Sequence, residues 1–153
     1  MPTDRTIIFD HAGDRIQLIA DSYARVTGRS LLPGDRVEAD SLWHAPFVVV
    51  AHDIEADPVF FYGNRVALEL LETDAAQLIR MPSRLSAKAV DRDEREGLFE
   101  RVRRQGFIDD YAGDRVTTTG RQFRIERATV WNLVDTDDAI GGQAARFDAW
   151  RWR

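Results

Sequence analysis

Cysteine is absent from the 153-residue sequence, and histidine is scarce, with three occurrences. The absence of cysteine excludes disulfides, thiolate metal sites, a cysteine nucleophile and a covalent cysteine adduct with a cofactor. The three histidines, His11, His44 and His52, stand at neither helical nor hairpin spacing, so no pair of them is placed to share one metal ion. The sequence therefore predicts neither a metal centre nor thiol chemistry.

Long apolar runs and an excess of basic residues are also missing. No stretch approaches the roughly 20 apolar residues that a spanning helix needs. The first residues, MPTDRTIIFDHAGD, contain acids where a secretory signal has a basic region and an apolar core. The net charge of -5 and the pI of about 5.2 disfavour nonspecific nucleic-acid binding, which depends on cations that release phosphate counterions. We expect a cytoplasmic protein with no membrane partner and no direct nucleic-acid partner.

The chain length suits one domain, which we expect to span residues 1–153. An amphipathic helix is predicted over residues 14–28, because Gly28 stands where a left-handed cap would end it. Its apolar residues recur every three or four positions on one face: Ile16, Ile19, Ala20, Tyr23 and Val26. This pattern indicates a helix that docks on the rest of the domain. The preceding residues 1–13 are expected to be flexible.

Two short strands and two helices are predicted next. The continuous apolar run PFVVVAHD predicts a central strand over Pro46–Ala51, and VFFYG predicts a strand that pairs back on it. Asn64 has the position of a helix cap. A capping box of Asp91 and Glu94 then predicts the start of a helix that runs to Arg104.

After Phe107, apolar and polar residues alternate with a period of two. The segments FIDDYAGDRVTT, QFRIERATVWNLVD and GGQAARFDAW predict a three-stranded antiparallel meander. Strict alternation would place one set of middle-strand side chains on one face: Phe123, Ile125, Thr129, Trp131 and Leu133, with Arg127 among them. An arginine in such a place needs a partner. With the first two strands, the meander gives a five-stranded sheet with helices on one face, which is an α+β fold.

Several of these segments carry a family resemblance. APFVVVAHDIEADPVFFYGNRVALELLE, MPSRLSAKAVDRDER, GFIDDYAGDRVTTTGRQFRI and ATVWNLVD with GGQAARF together resemble the MEKHLA domain, from about Tyr23 to Trp150. That family occurs as stand-alone bacterial and algal proteins, the type expected here, and at the C-terminus of plant homeodomain-leucine zipper factors.

The MEKHLA family is similar to PAS domains, which sense light, redox state or small molecules in a cavity between sheet and helices. The resemblance implies a PAS-like core over residues 45–150 with an extra N-terminal helix, and a sensory role. Because this sequence contains no DNA-binding region or zipper, the resemblance also implies output through a separate partner, acting in trans.

The candidate ligand site combines apolar walls with a polar connector. Ser83, Arg84 and Ser86 follow Pro82, and an arginine fork beside hydroxyls suits a carboxylate or phosphate. In the alternative, Arg84 pairs with a carboxylate of Glu55, Asp57 or Asp110. The apolar walls are expected from Phe47, Val49, Leu70, Leu85, Phe99, Phe123, Ile125 and Trp131. The expected ligand is a small organic molecule, anionic if Arg84 faces it.

Further polar or aromatic candidates for ligand contact are Tyr62, Asn64, Arg127 and Asn132. Tyr62 and Trp131 could stack on a noncovalent flavin, although both are equally good core residues. Asn132 could face Gln143 on the neighbouring strand, either to read a polar ligand or to bridge the sheet. Haem is not expected, because the segment between the hairpin and the meander, where haem-binding PAS relatives carry a ligand, has no histidine.

Two other functions remain open from the sequence. The C-terminal AWRWR alternates tryptophan with arginine, which suits an interface edge of a protein-interaction or dimerisation module. A small α+β enzyme could use His52 with Asp53 or Glu55 for proton transfer.

Overall fold

The computed structural model describes residues 2–34, 37–87 and 92–153, with the side chains of the last range from Glu96 onward. The proposed capping box of Asp91 and Glu94 lies outside the described residues. The helices are α1 (Asp4–Ala12), α2 (Arg15–Thr27), α3 (Ala39–Trp43), α4 (Arg65–Leu71), α5 (Ala75–Leu78) and α6 (Arg92–Gln105), with a 3-10 turn at Ser83–Ser86. The strands are β1 (Val48–His52), β2 (Phe60–Gly63), β3 (Phe107–Val116), β4 (Gln122–Val134), β5 (Ile140–Phe147) and β6 (Ala149–Trp152).

All strand pairs are antiparallel, and the sheet order is β2-β1-β5-β4-β3. The expected last strand is divided at Asp148. Its first part, β5, pairs with β1 and β4, and its second part, β6, continues along β4. The expectation of an α+β, PAS-like antiparallel sheet is confirmed.

A β-bulge in β4 separates its two halves. Ile125 pairs with Gly113 and Ala128 pairs with Tyr111, so Glu126 and Arg127 oppose the single residue Ala112. Arg127 has φ 52°, in the left-handed region. Because one extra residue reverses the alternation, Phe123 and Ile125 share a face with Ala128 and Val130 and not with Trp131. The prediction that a single face carries Phe123, Ile125 and Trp131 is wrong.

The inner face of the sheet lies under α4, α6 and the connector, which is the segment 81–87 after α5. This face is defined by Val50, Ile125, Val130 and Ala145. Helix α6 places Leu98 and Val102 on Ile108 and Val130. The connector joins β2 through an isolated bridge of Pro82 with Val59, which holds the 3-10 turn beside the sheet.

The outer face, defined by Ala51, Ala144 and Trp131, is covered by α2, the docking helix expected from the sequence. Trp131 Nε1 donates to the carbonyl oxygen of Ile19 at 3.2 Å, and its ring meets Tyr23 edge-on at 4.9 Å. The hydroxyl of Ser22 bonds the backbone of Val134 at both the amide and the carbonyl. These bonds join α2 to the sheet.

Residues 4–12 form helix α1, so the expectation that residues 1–13 are flexible is wrong over this range. Thr3 accepts a hydrogen bond from the amide of Thr6 and caps the helix. Ile8 is fully buried and Ala12 is buried. The hydrophobic contribution of these two side chains, with the cap, orders the segment.

Candidate functional site

A cavity of about 80 Å³ lies between the inner face of the sheet, the connector and α6. A second cavity of about 40 Å³ shares much of the same wall and extends toward Leu70 and Leu71 of α4. The walls common to both cavities are Val50, Phe60, Ser86, Arg115, Ile125 and Phe147. The site is thus mainly apolar, as small-molecule pockets are.

Gln143 supplies a buried acceptor at this cavity. The residue is only 7% exposed and lines the larger cavity. Its Nε2 donates to Asn132 Oδ1 and to the carbonyl oxygen of Phe99, both at 3.2 Å. Among the described residues, Oε1 has no hydrogen-bond partner. A buried acceptor of this kind calls for a donor.

The orientation of the Gln143 amide follows from its neighbour. Asn132 Nδ2 donates to the carbonyl oxygens of Val102 at 3.1 Å and Arg103 at 3.4 Å at the end of α6, where the Val102 oxygen also accepts from the amide of Gly106. Asn132 Oδ1 must then accept, which requires Gln143 Nε2 to face it. The structure therefore brings Asn132 and Gln143 together in one buried network, with Gln143 Oε1 as the atom not used by it.

Arg115 is the arginine of the cavity wall among the described residues. It pairs with Phe123 across the β3–β4 ladder, which places both on the inner face. Its Nη1 donates to the carbonyl oxygen of Asp114 at 3.1 Å, and its guanidinium carbon lies 5.2 Å from the Tyr111 ring centroid. No carboxylate of the described part of the chain lies within ion-pair distance of it. Alternation could not identify Arg115 from the sequence, because register shifts around Tyr111 change which residues face inward.

The connector contributes serines to the cavity wall, but its arginine faces away. Ser83 and Ser86 are buried and line the larger cavity. The Ser86 hydroxyl donates to the carbonyl oxygen of Ser83 at 2.7 Å, so it closes the 3-10 turn. Arg84 is exposed and its Nε contacts Asp57 at 3.0 and 3.2 Å. The alternative weighed for Arg84, an ion pair with Asp57, is the arrangement that the structure has.

Asn64 has a structural role. It is fully buried, and its Oδ1 accepts from the amides of Val49 and Ala67, both at 3.1 Å. Its Nδ2 donates to the carbonyl oxygens of Leu42 at 3.2 Å and Phe47 at 2.8 Å. The predicted cap of α4 is confirmed. Because all four hydrogen bonds are internal, the side chain has no capacity left for a ligand.

The other candidate residues are divided between the two faces. Phe123 is buried and lines the smaller cavity. Trp131 lies on the outer face, and Tyr62 joins it there through the cross-strand row Tyr62, Ala51, Ala144 and Trp131. Neither ring faces the cavity, so the stacking role considered for them does not fit this geometry.

Phe47 and Arg127 also lie outside the cavity. The Phe47 ring packs under the Arg146 guanidinium, 3.9 Å from the ring centroid. Arg127 is exposed at the bulge, so the expectation that it needs a partner on an apolar face is wrong. The expected wall residues Val49 and Leu85 are likewise misplaced, since Val49 precedes inward-facing Val50 and Leu85 is exposed.

Tyr62 has a fully buried hydroxyl with no hydrogen-bond partner in the described part of the chain. Burial raises the pKa of this phenol, because the charged phenolate would lose its hydration. The group therefore stays neutral and acts as part of the core.

His52 lines the cavity, but the acid-base pair considered for it is not assembled. Its Nδ1 lies 2.8 Å from the carbonyl oxygen of Asp53, and its ring is 4.9 Å from that of Phe99. The Asp53 carboxylate instead accepts from the amides of Glu55 and Val59, at 3.2 and 3.0 Å, and so stabilises the turn. Glu55 is exposed.

In the described ranges, no three histidine, aspartate or glutamate side chains meet in a way that could hold a metal ion. No described helix is both long and apolar enough to cross a bilayer.

Comparison with known proteins identifies the family. Residues 13–152 match the family model of the MEKHLA domain. This chain belongs to the MEKHLA domain family. A plant relative of this MEKHLA domain, the homeobox-leucine zipper protein HOX32 of Oryza sativa subsp. japonica, is 31% identical over 139 residues. The match covers 86% of this chain and 16% of the plant protein.

Solved structures confirm the PAS-like fold of the MEKHLA domain. A light-oxygen-voltage domain studied with a flavin analogue superposes with a TM-score of 0.61 at 14% identity, over 78% of this chain and 86% of that chain. The PAS domain, in complex with ethanol, of a LuxR-family transcriptional regulator from Burkholderia thailandensis has a TM-score of 0.55 at 20% identity, over 72% of this chain and 96% of that chain.

Proposed function

We propose that this MEKHLA domain is a sensory or regulatory domain that binds a small organic anion in the inner-face cavity and acts on a partner protein in trans. The proposal rests on two residues that line one apolar cavity: Gln143, whose buried Oε1 has no hydrogen-bond partner among the described residues, and Arg115. An unsatisfied buried polar group costs about 1–3 kcal/mol. A ligand that hydrogen-bonds Gln143 removes this penalty, and a negative charge on the ligand pairs with Arg115.

The cavity volume limits the size of the ligand. About 80 Å³, with a neighbouring 40 Å³, is well below the roughly 300–1,000 Å³ of pockets for drug-sized molecules. It suits a few heavy atoms, with a carboxylate at one end and an O–H or N–H donor at the other. The ethanol-bound PAS domain is a precedent for so small a ligand in this fold. A noncovalent flavin, whose ring system is much larger, fits this cavity poorly.

Helix α6 is the route by which the ligand would act on a partner. Gln143 and Asn132 hydrogen-bond three carbonyl oxygens of this helix: those of Phe99, Val102 and Arg103. A ligand that hydrogen-bonds Gln143 Oε1 changes the position of that side chain. Because Gln143 is bonded to α6, the packing of this helix on the sheet then changes too. The exposed surface of α6 is where that change reaches solvent.

Native mass spectrometry tests the proposal without knowledge of the ligand. The protein as purified is weighed under native conditions and again after denaturation. We expect an excess of mass that disappears on denaturation, and a lower occupancy in Arg115→Gln. Arg84→Gln is the matched control, because Arg84 is an equally charged residue that pairs with Asp57 outside the cavity. Equal occupancy in Arg115→Gln and the wild-type protein would contradict the proposed site.

A further inference from the structure

Strand β6 has one backbone edge that no strand of the described residues occupies. The strand pairs with β4 alone. The amide of Arg153 donates to the carbonyl oxygen of Gln122 at 2.9 Å. By the alternation of an antiparallel ladder, Ala149 and Arg151 also bond toward β4, and the amides and carbonyls of Trp150 and Trp152 point the other way. Such an edge can add a strand from another chain.

The two faces of β6 differ sharply in chemistry. Trp150 and Trp152 pack on one face, edge-on to Phe147 and Phe123 at 6.0 and 5.8 Å. Arg151 lies on the other face, directly opposite Arg124 of β4. Like charges directly opposite each other destabilise a sheet, so this pair indicates a site for negative charge.

The arginine face has fewer carboxylates than guanidinium groups. Arg124 and Arg153 share the single carboxylate of Asp114, at 3.4 and 2.9 Å, and Arg151 contacts Glu126 at 2.6 Å. A hollow of about 400 Å³ lies at this place, lined by Arg124, Arg151, Trp152 and Arg153. It is open and large enough to admit carboxylate side chains of another molecule.

We infer that the free edge of β6 binds an extended segment of a partner protein in which acidic and apolar residues alternate. The partner's backbone pairs with Trp150 and Trp152, as in β-strand addition. Because alternate residues of the added strand point to opposite faces, its acids meet Arg151 and Arg124 and its apolar residues cover the tryptophans. The inference names the docking surface of the proposed regulatory domain, and to that extent it rests on the proposed function.

Charge argues for a different protein and against a second copy of this chain. Two β6 edges paired with each other would bring their Arg151 and Arg153 side chains together on one face. That arrangement adds repulsion to the existing pair of Arg124 and Arg151. An acidic strand instead supplies negative charge beyond that of Asp114 and Glu126.

Fluorescence anisotropy with labelled peptides tests the inference. The probe is an eight-residue peptide that alternates glutamate and valine. A peptide of the same composition, with the four glutamates and four valines in blocks, is the control for charge alone. A third peptide carries N-methyl groups on every backbone amide and has no N–H with which to add as a strand. The protein variants are Arg151→Gln with Arg153→Gln, and, as a control with the same change of charge, Arg5→Gln with Arg65→Gln on α1 and α4.

We expect the alternating peptide to bind at least 10-fold more tightly than the block and N-methylated peptides. We expect at least a 10-fold loss in the β6 double variant and less than a 2-fold change in the control double variant. Equal binding of the alternating and block peptides, or unchanged binding to the β6 variant, would overturn the inference. A dimer in light scattering that Trp152→Pro abolishes would overturn it in favour of a second copy.

The outcomes also separate this inference from the proposed function. Arg115→Gln should leave peptide binding unchanged, because Arg115 lies on the cavity and not in the hollow beside β6. Lost peptide binding with an occupied cavity counts against the β6 edge alone. An empty cavity with normal peptide binding counts against the proposed ligand alone.

Discussion

Gln143 Nε2 donates a 3.2 Å hydrogen bond to Asn132 Oδ1 across the β4–β5 ladder, and Asn132 in turn donates to the end of α6. The pair therefore joins three elements, namely two strands and a helix, through buried amides. Of the four side-chain nitrogen and oxygen atoms of this pair, only Gln143 Oε1 has no hydrogen-bond partner among the described residues. A single side chain thus belongs both to the packing of α6 and to the candidate ligand site.

Substitution of Asn132 by alanine should destabilise the fold. The change leaves Gln143 Nε2 with one acceptor fewer and the carbonyl oxygen of Arg103 without the Asn132 donor, while the Val102 oxygen keeps the amide of Gly106. We expect a loss of about 2–3 kcal/mol in the free energy of unfolding, measured by urea denaturation. Glu96→Ala, on the exposed side of α6, is the control and should change stability by less than about 0.5 kcal/mol. A loss below that control value in Asn132→Ala would show that the network contributes little.

Substitution of Arg127 by glycine should stabilise the fold. A non-glycine residue at φ 52° lowers the free energy of unfolding by about 1–2 kcal/mol through backbone strain, which glycine would remove. The greater backbone freedom of glycine in the unfolded chain offsets about half of that gain. We expect a net gain of up to about 1 kcal/mol in urea denaturation. Gln122→Gly, at an exposed position of the same strand without a positive φ, should lower stability instead. Equal losses in the two variants would contradict the strained bulge.

The carboxylate of Glu72 should make stability depend on pH. Hydrogen bonds from Thr117 and Thr119, the latter 2.8 Å long, hold the pKa of Glu72 below its ordinary value. The ionised form is favoured by folding, so its contribution is complete above the ordinary pKa near 4.5 and is lost as the pH falls through the lowered pKa. Glu72→Gln should therefore be less stable than the wild-type protein at pH 7 and differ less from it near pH 3.

Urea midpoints of both proteins between pH 7 and pH 3 measure this effect. Glu69→Gln, which removes an exposed partner of Arg65 on α4, controls for the change in net charge. A difference between Glu72→Gln and the wild-type protein that stays constant over the whole range would contradict the assignment.

Local signals were sufficient to predict much of the fold. Asn64 follows an apolar strand at the position of a cap, and the structure confirms it with a bond to Ala67. Helix α2 follows from its apolar spacing and Gly28, and the strands follow from their period of two. These features depend on neighbours in the sequence, which is why they can be read from it.

The cavity could not be predicted equally well, because it depends on register. The bulge at Arg127 moves Trp131 to the outer face, and nothing in the letters of QFRIERATVWNLVD marks where the extra residue lies. The register shifts in β3 similarly conceal that Arg115 faces inward. For Arg84, the choice between a ligand and Asp57 depended on the fold of a distant turn.

The most direct test of the central claim is a titration of the protein, followed in the ¹H–¹⁵N spectrum by the side-chain amide of Gln143. Glycolate carries both a carboxylate and a hydroxyl donor, acetate lacks the donor, and ethylene glycol lacks the charge. We predict that glycolate shifts the Gln143 amide saturably, at least 10-fold more tightly than either analogue, and that Arg115→Gln abolishes this preference while Arg84→Gln keeps it. A Gln143 amide unmoved by all three compounds, or moved equally by glycolate in Arg115→Gln, would contradict it.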